Sequence, residues 1–260
     1  MIQAKNTGNT FKGYCICGFI DILGFSNEVH NKWDNEETDN PVERLQTFTR
    51  NINKSLSANI RHLKNETHKN SYNFGCRFTT FSDSVVYAYC FEKGVEEIDI
   101  LIGAYSVAKV AQIIWEKAID VGFTVRGGIE YGQIFWSNQI IAGPSLIEAY
   151  KIEKDLAFSS RVCLGEKLVH QIDKVLNDNL PKCENIFSER MTSFLKNEMR
   201  NLICDDWDDK KVISPKVVFG KKSIIDKLMS LQKQCTVIKD KLKYVPLLRL
   251  LECKMEYQNN

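Results

Sequence analysis

The sequence predicts an α+β protein built on an antiparallel sheet with helices packed on one face. Three observations carry this. Residues 14–22 form an almost unbroken apolar run, which reads as a buried strand. Residues 72–80 alternate apolar and polar side chains, and after a short polar break residues 85–91 form a second apolar run, so the two read as a β-hairpin. Two long stretches, 42–63 and 95–121, place apolar residues three and four apart and read as helices. The order strand, helix, hairpin, helix, strand is that of a ferredoxin-like sheet.

Residues 1–13 are expected to be a flexible N-terminal arm, polar and without the apolar core of a signal peptide. The first strand carries one acid, Asp21, near its end and is followed by a turn at Gly24. Residues 27–41 are rich in Asn, Asp and Glu and read as a loop or short helix. Pro41 then suits the first turn of the helix carrying Leu45, Phe48, Ile52, Leu56 and Ile60. The hairpin breaks at Phe81-Ser82-Asp83-Ser84. After the second helix, residues 123–132 read as a strand with a glycine pair, Gly127-Gly128, and residues 133–142 as a strand pair turning at Asn138. A helix over 145–156, a short strand over 159–164 and a helix over 166–175 complete a domain spanning 14–175. Residues 176–260 are expected to form a C-terminal, mainly helical extension on the same core, with a basic helical pattern over 221–243.

Composition narrows the partners. With 260 residues, 43% hydrophobic and 26% charged, the chain has the make-up of an ordinary globular domain. A net charge of +2 gives no field strong enough to predict nucleic-acid or membrane-surface binding. The apolar region around residues 101–115 is interrupted by Lys109 and is not expected to span a bilayer. A cytoplasmic location is expected. The nine cysteines include no Cys-x-x-Cys pair and fit small buried residues of a reducing compartment. The four histidines lack metal-ligand spacing.

A carboxylate at the end of an apolar strand is costly unless it is paired, hydrogen-bonded or metal-bound. In the ferredoxin-like order, Asp83 at the hairpin tip falls beside Asp21, because neighbouring strands lie about 5 Å apart. Two carboxylates with open positions beside them suit Mg²⁺ or Mn²⁺, which prefer oxygen ligands and leave room for substrate phosphates. Gly24 lets nearby backbone amides approach phosphate oxygens. Asp83 alone also fits an ordinary turn residue.

Four motifs, in order over residues 14–165, then resemble the class III nucleotide cyclases. Phe19-Ile20-Asp21-Ile22-Leu23-Gly24-Phe25-Ser26 is similar to their first metal motif and Phe81-Ser82-Asp83-Ser84 to their second. Val125-Arg126-Gly127-Gly128-Ile129 with Gly132 is similar to their arginine-bearing strand, and Gly143-Pro144-Ser145-Leu146-Ile147-Glu148-Ala149-Tyr150 to their late helix. The purine cyclases usually place Gly before the hairpin Asp, where Ser82 stands, and a purine-selecting Lys or Glu where Thr79 stands. Their late-helix Asn and Arg are replaced by Ile147 and Lys151. In these respects the chain resembles the pyrimidine cyclases of bacterial Pycsar antiphage systems, with Tyr72 and Arg77 at the spacing tied to base choice and in the version associated with UTP.

The resemblance implies a class III cyclase core and an activity: UTP, or alternatively CTP, converted to the 3′,5′-cyclic monophosphate and pyrophosphate. It implies two Mn²⁺ or Mg²⁺ ions on Asp21, the Ile22 carbonyl and Asp83. Phe19, Tyr72, Arg77 and Arg126 would contact substrate, with Lys151 a weaker candidate for the triphosphate. A head-to-tail homodimer with composite sites is implied, and a product read by a separate cyclic-nucleotide receptor effector. An adenylate or guanylate cyclase and a non-catalytic nucleotide sensor are the alternatives.

Overall fold

The computed structural model describes residues 10–33, 40–68, 76–91, 95–177, 186–205, 211–213, 222–234 and 244–245. One mixed sheet organises them, in the order β2-β3-β1-β4-β6-β8-β7, with β5 paired to β4 off that path. The strands are β1 (Phe11–Ile22), β2 (Cys76–Phe81), β3 (Ser84–Cys90), β4 (Val125–Trp136), β5 (Ile141–Ala142), β6 (Val162–Leu164), β7 (Ile203–Asp205) and β8 (Lys211–Ile213). The central four, β2-β3-β1-β4, are antiparallel neighbours in the ferredoxin-like order.

Alternation along β1 splits its side chains between two cores. Ile16, Ile20 and Ile22 join the larger core, against α2 (Pro41–His68), α3 (Glu97–Asp120) and α5 (Glu166–Asn177). The apolar stripe of α2 delivers Phe48, Ile52 and Leu56, all fully buried there, as its spacing predicts. Trp115 of α3 is likewise fully enclosed. The window Ile98–Asp120 is long and apolar enough to cross a bilayer by composition, and most of it is buried in this core. Interruption by Lys109 therefore does not shorten it below a span, as the sequence suggested; its apolar surface is used by the sheet.

Phe11, Cys15 and Cys17 point to the opposite face, with Ala88, Cys90, Ile134 and Trp136. One helix, α4 (Pro144–Asp155), lies on this side, because Gly128 of β4 lets it come close and Ser145 bonds Cys15 and the Gln133 carbonyl. Helices therefore cover both faces, with α4 the exception to the one-sided packing expected.

Several boundaries also move. Residues 11–13 belong to β1 and not to an N-terminal arm, because Phe11 pairs with Trp136 and packs in the second core. Residues 25–32 are α1 (Phe25–Lys32), anchored by the buried Phe25 against Phe123. The strand at 123–132 continues without a break to Trp136. Beyond residue 176, α6 (Ile186–Leu202) packs Leu195 and Met199 into the larger core, and α7 spans Lys222–Gln234. Here β8 joins β6 through the Cys163–Val212 pair, so this region extends the sheet as well as adding helices. The six described cysteines are free thiols.

Candidate active site

The site forms where β1 ends beside the hairpin tip. The register sets Asp21 opposite Ser84 on one side and Arg126 on the other. Paired residues share a face, so all three project to the side that carries α4. The tip is tied down by the Ile22 amide, which donates to the Asp83 carbonyl at 3.2 Å, while the Leu23 amide donates to the Thr124 carbonyl at 2.9 Å. Asp83 is thereby held next to Asp21, half-buried at the turn.

Asp21 accepts a hydrogen bond from the Ser84 hydroxyl at 3.0 Å and lies 3.8 Å from the Arg126 guanidinium. Burial pushes its carboxyl above the usual carboxylate range, and the neighbouring negative charge of Asp83 pushes in the same direction. Ser84, Arg126 and the Ile22 backbone offset part of this. Two carboxylates side by side, both hard-oxygen donors, are the setting a divalent cation relieves. Among the described residues no group of three His, Cys, Asp or Glu side chains forms a metal cage. A site of two carboxylates, completed by a backbone carbonyl and substrate phosphates, needs none.

Gly24 holds φ of 83°, a left-handed conformation that glycine adopts at least cost, and turns the chain directly into α1. The start of α1, which no side chain caps, thus lies four residues from Asp21. Its first amides and the positive end of its dipole suit an anion there.

Sequence reasoning missed one member of the cluster. Glu153 of α4 is 3% exposed and its Oε1 lies 2.5 Å from Arg126 Nε. Burial raises its pKa to about 7, outweighing the attraction of Arg126, with Asp21 and Asp155 adding to the rise. The buried residues of α4 are Ser145, Ala149, Ile152 and Glu153, spaced as one helix face, and it is the packing of α4 on β4 that makes this face the inward one.

The remaining candidates, and Arg161 beside them, are placed differently. Phe19 shares the face of Asp21 and meets Tyr150 of α4 edge-on, ring centroids 5.4 Å apart. Arg77 also lies on that face but over Phe11, opposite Ala88, which pairs with Cys17. That places it two strands across and about 13 Å along the sheet from Asp21, so the two do not meet within one chain. Tyr72 lies outside the described residues. Lys151 is exposed and pairs with Glu148 at 2.9 Å, whereas Arg161 is buried and donates to the Leu156 carbonyl at 2.5 Å, bracing the end of α4.

No protein-family model and no curated protein matches the chain. Among solved structures it is similar to the adenylyl cyclase CyaB from P. aeruginosa, at 15% identity and TM-score 0.42, covering 64% of this chain and 84% of that one. It is also similar to the guanylyl cyclase Cya2, at 13% identity and TM-score 0.41 (63% and 79%). A third similar structure is a class III adenylyl cyclase-like ATP-binding protein from Pseudomonas aeruginosa, at 12% identity and TM-score 0.44 (74% and 44%).

Proposed function

We propose that the chain is a nucleotide cyclase that converts UTP to 3′,5′-cyclic UMP and pyrophosphate, making a second messenger for antiphage defence. The observation that carries the cyclase reading is the closeness of Asp21 and Asp83 at the hairpin tip, beside the uncapped start of α1. The choice of a pyrimidine rests on the resemblance of the Phe81-Ser82-Asp83 and Arg126-Gly127-Gly128-Ile129 motifs, with Tyr72 and Arg77 as base readers.

In the reaction the ribose 3′-oxygen forms a bond to the α-phosphorus as the bond to the β-phosphate oxygen breaks. The hydroxyl proton passes to solvent and pyrophosphate leaves. Asp21, Asp83 and the Ile22 carbonyl would hold two Mn²⁺ or Mg²⁺ ions, which supply acidification of the 3′-hydroxyl and charge for the triphosphate. Ser84 fixes the orientation of the Asp21 carboxylate. The α1 amides and Arg126 bind phosphate oxygens, so catalysis comes mainly from positioning and charge stabilisation. Phe19 offers a ring face or edge to the nucleoside.

The test is product analysis after incubation with each of the four nucleoside triphosphates and Mn²⁺. Cyclic UMP is expected as the main product, and Asp21→Ala or Asp83→Ala should lower turnover about a hundredfold or more. Near wild-type turnover in either variant removes the two-aspartate site. A Tyr72→Arg protein with an unchanged UTP:CTP ratio removes Tyr72 from base selection.

A further inference from the structure

We propose that Glu153 is a positioning residue for the acid pair: it draws the Arg126 guanidinium toward α4 and so keeps Asp21 and Asp83 open to a divalent cation. This rests on the metal-site reading above. Arg126 stands between carboxylates on two sides. Its Nε lies 2.5 Å from Glu153, while its terminal nitrogen stops 3.8 Å from Asp21. The short contact is the one away from the acid pair. A guanidinium released from Glu153 is attracted by Asp21 and Asp83 together, and its planar fork matches a carboxylate with two parallel bonds. Seated that way, it covers the oxygen lone pairs a metal needs.

The charges argue the same way. Asp21 and Asp83 with Arg126 and an ionised Glu153 sum to −2; loss of the Glu153 charge leaves −1 at a place meant for a cation. Burial makes the choice of residue informative. Glu153 is 3% exposed, and the other buried positions of α4, Ser145, Ala149 and Ile152, are small or apolar. A buried carboxylate is weak as a stabilising device, since apolar packing at such a site is often as stable. Its use is better sought in what it holds, and the ion pair it makes is with Arg126.

The experiment measures Mn²⁺ binding to nucleotide-free protein by electron paramagnetic resonance at pH 8, where Glu153 is mostly ionised. Glu153→Gln should weaken binding about tenfold or more. The double variant Glu153→Gln with Arg126→Gln, which restores a sum of −2, should return to within about threefold of wild type. Wild-type affinity in Glu153→Gln, or a double variant as weak as the single one, overturns the proposal, because a merely structural role would not be rescued by neutralising Arg126. If circular dichroism shows that Glu153→Gln does not fold, Arg126→Gln alone decides: binding at least as tight as wild type supports the proposal, and weaker binding overturns it. Wild-type protein that takes up no Mn²⁺, or Asp21→Asn protein that takes up as much, overturns the metal-site reading and this one with it.

Discussion

Ser82 holds φ of 53° at the first central position of the β2–β3 turn. A side chain in that left-handed region costs about 1–2 kcal/mol against the ordinary helical one, and two-residue hairpins favour glycine or asparagine there. The turn thus has a backbone reason to prefer glycine before Asp83, and Ser82 takes the conformation with a side chain. Ser82→Gly should stabilise the fold by about 0.5–1 kcal/mol, read as a higher urea midpoint at unchanged slope; Ser82→Val should lower it. Glu153 gives a second prediction, set by pH. Its pKa is about 7 in the folded chain, under the combined influence of burial, Arg126 on β4, Asp21 on β1, and Lys154 and Asp155 on its own helix. Unfolded, it titrates near 4.3. Between those values the folded state holds the proton more tightly. The stability this contributes is complete below about pH 4 and is lost as pH rises through 7. Metal-free protein should therefore lose up to about 3 kcal/mol between pH 5 and 8 from this group, and Glu153→Gln should flatten the slope in chemical denaturation series.

At the scale of elements, the close contact between α4 and β4 decides whether Glu153 reaches the site at all. A β-carbon at Gly128 would lie 2.2 Å from the Ala149 carbonyl oxygen and 2.7 Å from Ile152, whereas one at Gly132 would meet Ser145 at an ordinary 3.4 Å. Gly128→Ala should thus force α4 outward and cost about 1–3 kcal/mol in thermal or urea unfolding, while Gly132→Ala stays within about 0.5 kcal/mol of wild type. Equal effects at the two positions would remove the close packing of α4 from the account. The same contact explains what was legible in the sequence. Asp21 stood out because its surroundings are apolar, and the hairpin tip because a polar break divides two alternating runs; both are local patterns. Glu153 sits among Glu148, Lys151, Lys154 and Asp155, and its burial follows from a glycine in another element. Strands of three residues such as β7 and β8 are too short to show a period, and the pairing of β8 with β6 is wholly tertiary.

For the whole molecule, the position of Arg77 is the constraint that matters. It shares the face of Asp21 but lies about 13 Å along the sheet and two strands away, so one chain does not bring the proposed base reader and the proposed metal acids to the same nucleotide. The head-to-tail dimer that the sequence resemblance implies would resolve this by pairing the Asp21 end of one sheet with the Arg77 end of another. Apolar side chains on and beside this face are exposed in the single chain: Phe81 at the hairpin tip, Ile147 and Tyr150 on α4, and Phe158 just after it. Surface of that kind suits an interface between copies. Two measurements test the arrangement together. Sedimentation should show a dimer that Ile147→Glu weakens. Asp21→Ala and Arg77→Ala proteins, each nearly inactive alone, should recover activity when mixed and re-equilibrated. A mixed dimer then holds one site built from the intact halves of both chains, so an equal mixture should reach about a quarter of wild-type turnover, since half of the dimers are mixed and each has one working site of two. Mixtures no more active than their components would place Asp21 and Arg77 in the same chain's site or remove Arg77 from the reaction. A fully active monomer would remove the dimer.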